Sequence, residues 1–475
     1  MSEEQISALE AENAALRQRV DRLETWAGNV SASIARTASQ PAAAPAAPYE
    51  SPTRRDMLVA LGAGLIGGAA AGAAVDYTWR PESHSASNGS AGSTSGSNAD
   101  YRPRPYRDTV TGMYIAEGFG SMKDEESSRQ AIQAAIEAAS AAGGGAVLLS
   151  GKYTVGPNPD NKTYALYTRD NVTLAGVDWA TSQIMLANGA NCSVIAGKGD
   201  TDANGKLTPT DFFAVRDLTV NGNRTSQDGK VTSHGMYLVR HKHLRVSGVR
   251  ITACDGNGYH STGAAPDGGT EVVRPFFVTD LLCDSNNGWG IFSSATNREF
   301  HGKGIHVEAN GMKGSNEYGG AFLDHSEDII LSLTARNNLG DGIRIHNVEA
   351  CHYDNLHAFS NDGYGIYVQA LVESEGRNWQ AAANCGKFTT ATYRPAATTT
   401  AEVYFAAGGG SYGTSHNSRV DGLHAPGDKT FAGPKPDNRN ADWGVYLEDA
   451  VDPTTMRITN YVPGDGGLVG ALRHA

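Results

Sequence analysis

The chain is 475 residues long, with 57 glycines, 8% aromatic and 19% charged residues, a composition of turns and strands rather than of a helical bundle. Its net charge of −12 excludes a protein built to hold nucleic acid on a basic face. The 5 cysteines (Cys192, Cys254, Cys283, Cys351, Cys385) are scattered, odd in number and without CxxC spacing, which excludes a thiolate metal centre and reads as buried thiols.

In chain order, residues 1–30 come first. Ile6, Leu9, Asn13, Leu16, Val20, Leu23 and Ala27 recur at spacings of three and four, the a/d seam of a short coiled coil, with Asn13 at an a position that favours a homodimer. An amphipathic helix that pairs with nothing is the equal alternative. An Ala/Pro linker fills 31–50. In residues 51–75, Arg54 and Arg55 precede an uncharged run from Met57 to Val75 that ends near Ala71-Gly72-Ala73. This segment resembles a twin-arginine export signal, so the expectation is a secreted or surface-displayed protein. A single membrane anchor is the alternative, since the run is long enough to span a bilayer. Residues 76–104 form a Ser/Gly-rich tether, and the working domain occupies 105–475.

That domain opens with "SSRQAIQAAIEAASAAGGGAVLLSGKYTV". Ile132, Ala135, Ile136 and Ala139 make an apolar helical stripe that stops at Gly143, and Val147–Leu149 begins a strand. Six alternating strands then start at Gly235, Gly258, Gly290, Gly320, Gly342 and Gly365, at spacings of 23, 32, 30, 22 and 23. A unit that short cannot bury an apolar face alone, so the units must stack as coils of a parallel β-helix. The leucine-rich consensus is absent, and a propeller blade needs about 40 residues. The helix then reads as a cap on the open end of the solenoid. The two long spacings contain insertions at 264–272 and 311–317. Beyond Val368 the pattern thins: "TTATYRPAATTTAEVYF" reads as a long hairpin or loop, and Gly444 starts one more strand.

The cap helix with "AAGGGAVLLSGKYTV", then "NVTLAG" (Asn171 to Gly176) and "VRDLTVNGNR" (Val215 to Arg224), resembles the pectate-lyase superfamily of right-handed β-helices, nearest its mannuronan C5-epimerase and polysaccharide-lyase branch. The resemblance spans residues 110–370. It implies an all-β, right-handed parallel β-helix and a polysaccharide substrate. The epimerase motif Tyr-Gly-Phe-Asp-Pro-His falls on Asn257–Thr262, where Asn257, His260 and Thr262 stand in place of its Tyr, Asp and His.

Stacking the six strands in register, the first and third residues after each glycine point inward and are mostly apolar. The second residues, Tyr237, His260, Phe292, Phe322, Arg344 and Tyr367, point outward in one column. The fourth residues, Val239, Thr262, Ser294, Asp324, His346 and Gln369, form another. Asp324 should therefore lie beside His346, and Arg344 beside Tyr367. Asp324 would orient His346, while Arg344 would meet a sugar carboxylate and acidify Tyr367. With His260, these residues are the expected catalytic set for abstracting the C5 proton of a uronic acid. Tyr237, Phe292, Phe322 and Gln369 are expected to contact substrate, and Arg240 and Lys242, in the basic run "RHKHLR", to attract an acidic glycan. The polar outward face has a plainer reading as an ordinary solvated sheet.

Two other functions remain open. A glycoside hydrolase needs a second carboxylate, which Asp267, Glu317 or Asp341 would supply. A surface protein that only binds glycan needs none. No metal cluster is visible, so no cofactor is expected, although loop carboxylates leave calcium open. The partners expected are a polysaccharide, acidic in particular, no nucleic acid, and a membrane only through 57–75.

Overall fold

The computed structural model describes residues 113–197, 210–230, 233–239, 241–262, 276–294, 299–313, 318–327, 329–385, 401–406, 415–425, 443–448, 451, 456–462 and 472–474. The coiled-coil seam, both linkers, the Arg54–Arg55 segment, Arg240, Asp267 and Glu317 lie outside the described residues, as does the 264–272 insertion.

The domain is a right-handed parallel β-helix capped at its N-terminal end. The cap helix runs Glu125–Ala141, started by Asp124, whose carboxylate accepts from the Ser127 backbone while the Ser127 hydroxyl oxygen accepts from the Asp124 backbone. The stripe Ile132, Ala135, Ile136 and Ala139 is buried against the first coils, as its spacing predicts.

Among the described residues, two large sheets wrap the core, and every strand pairs parallel to its neighbour. One, the groove sheet, has eleven strands and includes Met236–Val239, Tyr259–Thr262, Ile291–Ser294, Ala321–Glu327, Ile343–Glu349 and Ile366–Val372. The other, the bent sheet, has fifteen strands. Several of its long strands, such as Leu244–Thr252 and Phe276–Asp284, turn a corner at one left-handed residue, Gly248 and Asp280 respectively. That single residue lets Val246 and Val249 both face the interior, so the corner is made without breaking the core.

The register of the six groove strands is the one the glycines predict: Tyr237 pairs with His260, His260 with Phe292, Phe292 with Phe322, Phe322 with Arg344, and Arg344 with Tyr367. The glycines have a structural cause. At the corners that precede the groove strands from Ile291–Ser294 to Ala401–Ala406 runs a buried ladder of asparagines: Asn286, Asn310, Asn338, Asn361 and Asn384, each amide donating to the next side-chain oxygen at 2.8–3.0 Å. A Cβ on Gly342 would sit 2.5 Å from the Asn361 amide nitrogen and 2.7 Å from the Gly365 carbonyl; one on Gly365 would meet Asn384 as closely. The glycines mark where the ladder passes. Gly342→Ala is accordingly expected to cost about 1–3 kcal/mol, the usual overpacking penalty, and to lower the thermal midpoint. An unchanged midpoint would mean that the ladder yields freely.

The ladder also explains a misread segment. "AEVYFA", taken from the sequence as part of a long loop, is a groove strand, Ala401–Ala406, paired with Ile366–Gln369. Its leading glycine is replaced by Glu402, fully buried, whose carboxylate accepts from Asn384 and ends the ladder. Without the marker glycine the strand could not be recognised. The strand expected at Gly444 is present as Trp443–Leu447. All five cysteines are buried free thiols.

Candidate active site on the groove sheet

Two outward columns form the site. In the fourth-position column, His346 Nδ1 lies 2.6 Å from Asp324 Oδ1, with both side chains partly exposed. An ionised carboxylate only accepts, so the Nδ1 proton belongs to this bond and the basic lone pair is on Nε2. The Asn347 amide packs on the same ring, and Phe322 stacks on its other side with centroids 6.1 Å apart. Gln369 is the next residue along the column, and its Oε1 accepts the Tyr367 hydroxyl at 3.2 Å, leaving its two N–H donors for another acceptor.

Arg344 requires a correction. It neighbours Tyr367 as expected, yet it is only 3% exposed and does not offer its charge to a ligand. Asp341, one turn before it, takes Nε at 2.9 Å and Nη2 at 2.6 Å, and the guanidinium lies among the rings of Trp289, Phe322 and Tyr367 at 5.2–5.8 Å. Asp341 Oδ1 also accepts the Tyr364 backbone N–H. A buried cation needs such a partner, and the sequence offered the signal: an aspartate two residues ahead of the strand that carries the arginine.

His260 lies three strands from Arg344, roughly 14 Å at ~4.8 Å per strand. It is packed against His234, Tyr237 and Phe292 with centroids 4.5–4.9 Å apart, and the Asn257 amide donates to its Nδ1. Burial pushes its pKa down to about 4. His241 is likewise pushed to about 4 by burial, and His234 well below its usual value by burial and then by the nearby His260. His234 and His260 are neutral rings of a packed ladder, His241 is buried away from it against Thr168, and His234 precedes its strand, where the column count does not reach.

A pH dependence follows. In the unfolded chain His241 and His260 protonate near 6.5 and in the fold only at about 4, and His234 is shifted the same way, so between those values the unfolded state binds more protons. Stability present above pH 6.5 is lost as pH falls through that window. The thermal midpoint is expected to drop from pH 6.5 to 4.5, and His260→Phe, which continues the aromatic ladder, should flatten that drop. An equal slope in the variant would contradict the assignment.

Tyr237, Phe292 and Phe322 are half-buried in the same ladder, which runs on through Tyr367, Tyr404 and Tyr446. Tyr404, buried and donating to Glu448, has its pKa raised by burial and by that carboxylate; neither residue was singled out from sequence. Lys242 is not on the groove sheet: it pairs with Asp211 in a separate two-stranded ladder at the corner beyond Met236–Val239. Among the described residues no group of three or more His, Cys, Asp or Glu is arranged to hold a metal ion.

Over 122 residues, 25% of this chain, it is 39% identical to mannuronan C5-epimerase AlgE3 of Azotobacter vinelandii, a stretch that spans 6% of that protein. Over 123 residues it is 34% identical to alginate lyase 7 of the same organism, spanning 14% of it. The chain is homologous to these enzymes over that stretch. The fold agrees more widely: the A-module of mannuronan C5-epimerase AlgE4 from A. vinelandii superposes with a TM-score of 0.50, covering 76% of this chain and 97% of the module at 18% identity. No protein-family model matches. The chain thus covers only a small part of the curated relatives, while it shares the parallel β-helix fold of the epimerase A-module.

Proposed function

We propose that the chain is a polysaccharide lyase or C5-epimerase that acts on uronic-acid-containing glycans by abstracting the C5 proton, with His346 as the base and Asp324 as the group that positions it. The 2.6 Å Asp324–His346 pair on the outer face of the helix carries this reading, and the homology to epimerases and an alginate lyase supports it. His346 Nε2 takes the proton from C5, and the C–H electron pair passes into the sugar carboxylate as an enediolate. The amide donors of Gln369 stand one strand from the base and would stabilise part of that charge. A proton returned to C5 from the opposite face completes epimerisation. Departure of the glycosidic oxygen from C4, protonated as it leaves, completes lyase cleavage.

Two described carboxylates do not serve as a hydrolytic partner of Asp324. Asp341 is committed to Arg344, and Glu448 lies beside a strand four places beyond that of Asp324, roughly 19 Å away at ~4.8 Å per strand. Paired glycosidase carboxylates stand within about 9.5 Å. The reading includes export through the Arg54–Arg55 segment, which cell fractionation tests directly. Proton NMR of the full chain with polymannuronate, polygalacturonate and polyglucuronate identifies the sugar: unsaturated ends or inverted residues on one of them are expected. New saturated reducing ends would instead point to hydrolysis.

A further inference from the structure

The described part of the basic run, His241–Arg245, lies away from the groove sheet and takes alternating roles. His241 is buried against Thr168. His243 pairs with Asp211 at 2.6 Å and stacks flat on Phe212 at 4.2 Å. Arg245 starts an outward column on the bent sheet that continues, strand by strand, through Phe277, His301 and Ile330. Its guanidinium lies over the Phe277 ring at 5.7 Å, and His301 stacks on the same ring at 5.1 Å.

This column exposes what a solvated sheet usually hides. Of the six large hydrophobic side chains exposed among the described residues, two are on it, Phe277 (39%) and Ile330 (46%), and a third, Phe212 (54%), lies at the adjoining corner against His243. Scattered apolar residues need no explanation, but Phe277 and Ile330 in one outward column, with Arg245 and His301 against the Phe277 ring, do. The surroundings are also basic on a chain of net charge −12: Arg245 lies on the column, Lys242 on the two-stranded ladder at the corner beside it, and Lys303 on the neighbouring outward column with Thr279. Of the neighbouring carboxylates, Asp211 is engaged by His243 and Asp217 by Arg216, Asp280 lies at the bend just beyond Thr279, Glu299 sits at the corner ahead of Phe300, and Arg245 has no ion-pair partner among the described residues.

We infer that this stripe is a second, non-catalytic binding track for an acidic polysaccharide, laid along the helix axis on the bent sheet. Coils advance by ~4.8 Å, about one sugar unit, so a linear glycan running parallel to the axis meets an equivalent position on every coil. Arg245, Lys242 and Lys303 face its carboxylates, Arg245 through a planar fork suited to them. The apolar edges of Phe212, Phe277 and Ile330 meet the C–H faces of its rings. A polymer held here remains on the enzyme while the groove works on another segment, and its two contacts add through effective concentration.

The acidic character of the polymer rests on the proposed function, whereas binding can be read without turnover. Isothermal titration of the full chain with alginate, polygalacturonate and dextran is the test, with Arg245→Ala/Phe277→Ala/Lys303→Ala as the variant and Arg245→Glu as a second in case the triple variant unfolds. The expected result is binding of at least one acidic polymer but not dextran, weakened at least 10-fold in the variants and by added salt. His346→Ala should bind as the unaltered chain does. Turnover of a uronate tetramer, too short to reach both sheets, should be unchanged by Arg245→Glu. Polymer affinity undiminished in the variants, equal affinity for dextran, or no binding of either acidic polymer overturns the inference. Binding lost in the variants while no uronate is turned over would leave the track standing and remove the lyase or epimerase reading.

Discussion

His346→Ala is expected to lose about 10²–10⁴-fold in turnover on the uronate polymer while keeping the thermal midpoint of the parent chain, because a positioned general base contributes on that scale. The side chain is partly exposed and outward, so its removal opens no core cavity. Asp324→Asn should lose a comparable factor, since an amide no longer compels Nδ1 to hold the proton and the basic lone pair leaves Nε2 for part of the time. Steady-state rates with a folded-state melt for each variant separate chemistry from stability. A His346→Ala enzyme within a few-fold of the parent would reduce the pair to a cross-strand contact worth less than about 1 kcal/mol.

Asp341→Ala should be the more damaging change to the fold. The Asp341 and Arg344 side chains are 6% and 4% exposed, and removing the carboxylate leaves a guanidinium buried among Trp289, Phe322 and Tyr367 together with an unsatisfied Tyr364 N–H. Stranding a buried charge costs about 3–5 kcal/mol. Arg344→Met in the same chain removes the stranded charge and should recover most of that loss, leaving mainly the orphaned N–H. Urea or thermal unfolding of the two single variants and the double variant forms the cycle. Equal destabilisation by Asp341→Ala with and without Arg344→Met would show that the two residues do not act as a pair.

The fold was legible because the β-helix writes its constraint into every coil. The Asn ladder forbids a Cβ at Gly258, Gly290, Gly320, Gly342 and Gly365, so the register of six strands can be counted from glycines alone. From that register the Asp324–His346 contact follows as geometry. Where the constraint lapses, so does the reading: Glu402 replaces the marker glycine, and Ala401–Ala406 was taken for loop. The burial of Arg344 was hidden for a different reason. Alternation tells which way a side chain points and nothing about what covers it, and here Asp341 and three aromatic rings close over an outward residue. His260 was overvalued on the same ground, as a polar residue in an outward column that proves to be one ring of a packed ladder.

The central claim is proton abstraction by His346, and exchange with solvent tests it most directly. The full chain and His346→Ala would be incubated with the responsive polyuronate in deuterium oxide and followed by NMR. The account predicts deuterium at C5 of inverted residues, or loss of the C5 proton as a C4–C5 double bond appears, and neither in the variant. Cleavage with C5–H retained, or the same exchange in His346→Ala, would contradict it.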